Sequence, residues 1–267
     1  MPSYGTESSM ISTVGHEHHR FRRGLLDKFF SKKSVQELAP VVQETLVKLM
    51  RRFEEAHEYG TVLCLDDAFT GLTADIISYY SYGESLDFLE DKNFKSDFRG
   101  AAYGLVSFLH INRFFPLLIP TLQRLPRWFT CKLRPELTAL FDIQSTIQQH
   151  SIQSMHESGF NKSSKITRRL VIFDALNDPT IPGKERTQKR LQDEGTIVLV
   201  AGTEVVARAL TIAVFHLNWN KSLLLKLRRE LQQVMPTPTS LATWSQLEQL
   251  PYLVCCHCLW LKQCIDN

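Results

Sequence analysis

One carboxylate and one guanidinium interrupt the longest apolar run of the chain. Between Gly195 and Leu217 (GTIVLVAGTEVVARALTIAVFHL) the only ionisable residues are Glu204, Arg208 and His216. An acid in such surroundings loses hydration, which favours its protonated form and suits it to proton transfer. Gly202, two positions earlier, weakens a helix by about 1 kcal/mol relative to Ala. The plainer alternative is a structural ion pair, since Glu204 and Arg208 stand at i,i+4 on one helix face.

A second constellation lies near the start. His18 and Arg22, also at i,i+4, share a helix face and together could clasp an anion. Arg suits that role because its guanidinium stays charged and donates two parallel hydrogen bonds. The competing reading is a solvated basic surface helix. His16 and His19 stand at i,i+3 with no further metal ligand nearby, which points to surface residues. Near the other end Cys255, Cys256, His257, Cys258 and Cys264 crowd together. Adjacent cysteines make poor tetrahedral geometry, so zinc is not expected. Cys64 and Cys131 are isolated, which argues against a disulfide framework and for a reducing, cytosol-facing environment.

These residues need helices to position them. The stretch from Arg190 to Leu217 predicts a helix of roughly 40 Å at 1.5 Å per residue. Most of its circumference is apolar, so it belongs in a protein core or in lipid. Glu204 and Arg208 near its centre make the core the better reading, because charges in a bilayer are costly. Helical periodicity also covers His16 to Ser31, with Phe21, Leu25 and Phe29 as its apolar stripe. Further helices are expected from a Ser34 cap to Gly60, with regular helix from Pro40, and from Asp66 to Tyr82, stopped by Gly83. Others are expected over Asn93 to Asn112, Arg134 to His156, Asn220 to Met235 and Trp244 to Gln249. Prolines at 116, 120, 126 and 135 mark a loop, as do GFNKSSK and NDPTIPGKERT. No strand pair, repeat or low-complexity tract is visible, so the fold class is mainly α.

Of 267 residues, 43% are hydrophobic and 22% charged, an ordinary globular balance. The small net charge of +3 excludes nucleic acid as an expected partner. The opening 1–14 is polar, lacks the apolar core of a signal peptide and is expected to be a disordered stub.

The pattern as a whole resembles a known family. AGTEVVARAL is similar to the central helix of the cytochrome P-450 haem-thiolate monooxygenases, written Ala/Gly-Gly-x-Asp/Glu-Thr. HEHHRFRRGLLDKFFSKKSV resembles the family's early haem-facing helix in its filamentous-fungal form. DDAFTGLTADIISYYSYGESLDFL and LRRELQQVMPTPTSLATWSQLEQLPYL follow in the family's order. The resemblance runs from about Gly15 to Leu253, making 15–253 a partial helical domain of that fold and 254–267 a non-homologous tail.

The resemblance implies haem, with His18 and Arg22 on a propionate and Ala201, Gly202 and Glu204 on the oxygen-binding side. It implies electrons from an NADPH-cytochrome reductase, a lipophilic terpenoid or polyketide substrate, and the cytosolic face of the endoplasmic reticulum. The chain also departs from the family. Val205 replaces the Thr whose hydroxyl relays protons, and Thr203 points elsewhere, two residues being about 200° around a helix. No Glu-x-x-Arg follows Leu253, no Cys sits in the haem-loop context, and the membrane anchor and β-sheet region are missing. The expectation is therefore a truncated member, itself inactive and holding no haem, with a frame change or unspliced intron after Leu253 accounting for the tail. The alternatives are a haem-free helical binding module, or an integral membrane protein built on the long helix.

Overall fold

Punctuation residues set where the helices begin and end. The computed structural model describes residues 6–27, 29–100, 114–115, 132, 136–160, 171–237 and 240–255. The first group of helices is α1 (His16–Asp27), α2 (Lys32–Glu37), α3 (Ala39–Glu58) and α4 (Leu65–Tyr82). The second is α5 (Glu136–Phe160), α6 (Ile172–Leu176), α7 (Gln188–Trp219), α8 (Lys221–Leu231) and α9 (Trp244–Leu247). Among the described residues there is no strand, and the chain is mainly α as its periodicity predicts.

Ser31, not Ser34, caps α2; its hydroxyl accepts from the Ser34 amide at 3.3 Å. Pro40 occupies the first turn of α3, where a missing N–H removes no helix hydrogen bond. Gly83 ends α4 in the left-handed region at φ 87°, a conformation that favours glycine. Thr187 caps α7, and Asn220 separates α7 from α8 while capping the latter. The helix expected over Asn93 to Asn112 is described only as far as residue 100, where 96–100 are helical. The GFNKSSK connector and most of the Pro-punctuated passage lie outside the described residues.

The long helix α7 organises the packing, running along α4 and against α5. The Tyr82 hydroxyl donates to the Gly195 carbonyl at 2.8 Å, and the Thr73 hydroxyl donates to the Thr203 carbonyl at 3.2 Å. Short α6 (IFDAL), which periodicity did not reveal, wedges Phe173 against Gly195. A Cβ there would stand 2.7 Å from Phe173 Cζ, so only glycine admits that ring.

Burial of α7 is one-sided, which corrects the expectation of an all-round buried helix. Leu191, Val198, Leu199, Thr203, Ala207, Ala213 and Leu217 are buried. Ala201, Val205, Arg208, Phe215 and Trp219, on the opposite stripe, are exposed. The helix is long and apolar enough to cross a membrane by length and composition. Its first turns nevertheless bury Arg190, Asp193 and Glu194, all engaged in ion pairs or hydrogen bonds with protein groups.

Residues 6–14 form turns that fold over the start of α7. The Ser8 amide donates to Asp193 Oδ2 and the Met10 amide to Glu194 Oε2, both at 2.9 Å, while Thr6 and Ser9 are buried. In α1 the buried positions are Arg22 and Leu26, and Phe21 is exposed. The helix rolls in this way because the Arg22 guanidinium has an internal partner.

Candidate functional site

Glu204 opens into a cleft of about 650 Å³ between α4, the helical stretch 96–100 and α7. Asp66, Thr70, Arg99, Val205 and Arg208 share its lining. Glu204 is half-buried, and its Oε1 has no hydrogen-bond partner among the described residues. Burial pushes its carboxyl above the ordinary carboxylate range; Arg99 pulls the other way and Asp66 adds to the rise. The Thr70 hydroxyl is also buried and without a partner among the described residues.

The expected i,i+4 pair of Glu204 with Arg208 does not form. Arg208 Nη1 reaches across to Asp66 Oδ2 at 3.1 Å. Arg99 joins the same acids, with Nη1 3.3 Å from Asp66 Oδ2 and Nε 2.8 Å from Asp67 Oδ1. Asp66 and Asp67 lie in the first turn of α4, where the helix dipole favours negative charge.

The other central-helix positions separate by face. Val205 is 62% exposed and presents no hydroxyl, while Ala201 is exposed one turn earlier. Thr203 is buried with its hydroxyl donating to the Leu199 carbonyl at 2.6 Å, so it is turned away from the cleft as helix geometry requires. Gly202 faces α4, where a Cβ would stand 2.8 Å from Ile77 Cγ1. Close helix approach accounts for that glycine.

His18 and Arg22 do act together on an anion, and the anion is Glu185. His18 Nε2 lies 2.7 Å from Glu185 Oε1, and Arg22 Nε donates to Glu185 Oε2 at 2.9 Å. Arg22 Nη1 donates to Thr13 Oγ1 at 2.7 Å and to the Ser9 carbonyl at 3.3 Å. Arg190, 1% exposed, pairs with the same Glu185 and lies 3.6 Å from Glu194. Burial pushes Glu185 up, but hydrogen bonds from Arg22 and His18, together with the charges of Arg22 and Arg190, outweigh it and hold the carboxyl below its ordinary range. Burial pushes Glu194 up and Arg190 down. Glu185 stands in the turn before α7, where no periodicity marks a buried acid.

Among the described residues no group of three His, Cys, Asp or Glu is placed to hold a metal ion. His16 Nδ1 lies 3.1 Å from Glu17 Oε1 on the surface. Cys64 and Cys255 are free and exposed. Cys131, Cys256, His257, Cys258 and Cys264 lie outside the described residues.

A helical array about one long central helix, with an acid set at a glycine-marked turn, defines a class. The family model for cytochrome P-450 matches residues 2–256, and this chain belongs to that family. The match reaches a little past Leu253, where the expected tail begins. The chain is 38% identical over 251 residues to the cytochrome P-450 monooxygenase TRI4 of Trichoderma arundinaceum, covering 94% of this chain and 48% of the relative. It is 35% identical over 253 residues to the monooxygenase claJ of Penicillium crustosum, covering 94% of this chain and 57% of the relative. It is 37% identical over 249 residues to conidiogenone synthase of Penicillium rubens, covering 93% of this chain and 49% of the relative. The chain thus spans about half the length of the curated relatives it matches.

The family implies haem, and the described residues meet that group on one side only. The open stripe with Ala201 and Val205 offers an apolar wall. The Arg22 Nε and Nη1 donors are engaged by Glu185, Thr13 and Ser9. The described cysteines sit on the surface before α4 and after α9.

Proposed function

We propose that this chain is the oxygen-side helical part of a haem-thiolate monooxygenase, with Glu204 as its proton-handling acid. The observation that carries the reading is the half-buried carboxyl of Glu204, unpartnered among the described residues and opening into a cleft. Such a group keeps its proton to a higher pH than a solvated acid and surrenders it to a polar atom placed against Oε1. Val205 supplies no relay hydroxyl, so in this chain the proton passes between Glu204 and water or substrate in the cleft.

For the whole enzyme we propose oxygen insertion into a lipophilic secondary metabolite of terpenoid or polyketide class. An NADPH-cytochrome reductase supplies the electrons, at the cytosolic face of the endoplasmic reticulum. The 267-residue chain is proposed to be inactive alone, because its described cysteines, Cys64 and Cys255, offer no placed thiolate. The test is to produce the chain with haem supplied and record its reduced carbon-monoxide difference spectrum. No thiolate-type band is expected; a full one would overturn the proposed inactivity. Sequencing the native transcript from the Gln249 codon past Asn267 then decides whether the message continues into a haem loop.

A second reading, a haem-free helical module, draws on one observation. Arg22 Nε and Nη1 donate to Glu185 and Thr13 inside the protein. It predicts a soluble, monodisperse chain, whereas the open apolar stripe of α7 predicts aggregation.

A further inference from the structure

The charges around the Glu204 cleft come from three segments, and their pairing is uneven. Asp66 and Asp67 open α4, Arg99 lies on the stretch 96–100, and Glu204 and Arg208 stand one turn apart on α7. Three carboxylates therefore face two guanidiniums. Asp66 Oδ2 takes both, Arg208 at 3.1 Å and Arg99 at 3.3 Å, while Asp67 takes Arg99 at 2.8 Å. Glu204 Oε1 is left without a partner among the described residues.

Local geometry alone predicts the opposite outcome. An acid four residues before an arginine is the favourable orientation on a helix, so Glu204 is the default partner of Arg208. Asp66 displaces it because the first turn of α4 favours a carboxylate there and because Arg99 brings a second cation to the same oxygen.

We propose that Asp66 is a positioning residue that draws the Arg208 and Arg99 guanidiniums off Glu204 and so leaves that acid free to hold a proton in the cleft. The inference rests on the reading of Glu204 as the proton-handling acid. The groups facing Glu204 are Arg99, Asp66, Arg208 and Asp67, so the balance among them is set by who pairs with whom. Without the Asp66 carboxylate, Arg208 returns to the acid on its own helix and Glu204 ionises more readily.

Isotope-edited infrared titration of the 267-residue chain tests this, with Glu204→Gln identifying the protonated-carboxyl band. Asp66→Asn is expected to raise the acid dissociation constant of Glu204 about tenfold or more, with the helical circular dichroism unchanged. In an Arg99→Gln, Arg208→Gln background the same substitution should change it by less than about threefold, because no guanidinium remains to be released. An equal change in both backgrounds would reduce Asp66 to a simple like charge and overturn the proposal. Where Asp66→Asn does not fold, Arg208→Gln alone decides. A change under about threefold supports the proposal, and a larger shift towards the protonated form overturns it by making Arg208 a direct partner of Glu204. The catalytic reading fails separately: unchanged product formation by Glu204→Gln in the whole enzyme would remove it and leave the pairing result standing.

Discussion

Ile77 of α4 and Gly202 of α7 meet so closely that a Cβ on residue 202 would lie 2.8 Å from Ile77 Cγ1 and 3.2 Å from its Cδ1. The contact sits one residue from the exposed Ala201 and two from Glu204. It sets how near α4, and with it Asp66, comes to the cleft. Gly202→Ala gains about 1 kcal/mol of helix propensity and meets overpacking of about 1–3 kcal/mol. The expected net result is a modest loss of stability in urea unfolding. In an Ile77→Ala background the same change should become neutral or stabilising. Equal effects in both backgrounds would show that Ile77 is not the obstacle.

Glu185 neutralises two buried cations, Arg22 and Arg190. Glu185→Gln leaves both without their anion and is expected to cost about 3–5 kcal/mol, the range for breaking a buried pair. His18→Ala should cost no more than about 1 kcal/mol, as for an exposed pair. The Glu185 carboxyl is held below its ordinary range, so its contribution is present above that range and is lost as pH falls through the folded value. The wild type should therefore lose stability on acidification more steeply than Glu185→Gln, as read from denaturant midpoints at successive pH values.

Asp75 is a buried acid that holds backbone amides. Its Oδ1 accepts from the Phe88 amide at 2.8 Å and its Oδ2 from the Leu89 amide at 3.0 Å, which folds the loop after α4 onto the core. Asp75→Ala strands two buried amides at about 1–3 kcal/mol each. Asp75→Asn retains one acceptor and should lose roughly half as much. Hydrogen exchange at the two amides reads the effect residue by residue.

For Glu204 the pH dependence has the opposite sign. Burial, against the pull of Arg99, raises its carboxyl above the ordinary range. Its stabilising form is thus complete below the unfolded-state value and is lost as pH rises through the folded value. Glu204→Gln is expected to be more stable than the wild type at neutral pH, with the difference vanishing in acid. A difference that is constant across pH would mean that Glu204 does not titrate in a buried setting.

The helices were legible because their signals are local. Pro40, Gly83 and Asn220 punctuate three of them, and the run around Glu204 could only be a helix with a buried side. Four motifs in register also revealed the family. The partners of the charges were not legible. Glu185 lies 163 residues from Arg22 and Asp66 lies 142 from Arg208, and neither acid has a periodic neighbour to announce it. Short α6 escaped because five residues span little more than one turn of apolar periodicity.

The sequence by itself determined the helical class, the lone acid at Glu204 and the absent hydroxyl at Val205, since residue type and helix period decide those. Tertiary structure alone decided that Arg22 and His18 reach Glu185, that Arg208 leaves Glu204 for Asp66, and that only one side of α7 is covered. A charge pairs with the opposite charge desolvated beside it, and that neighbour is chosen by how the helices pack.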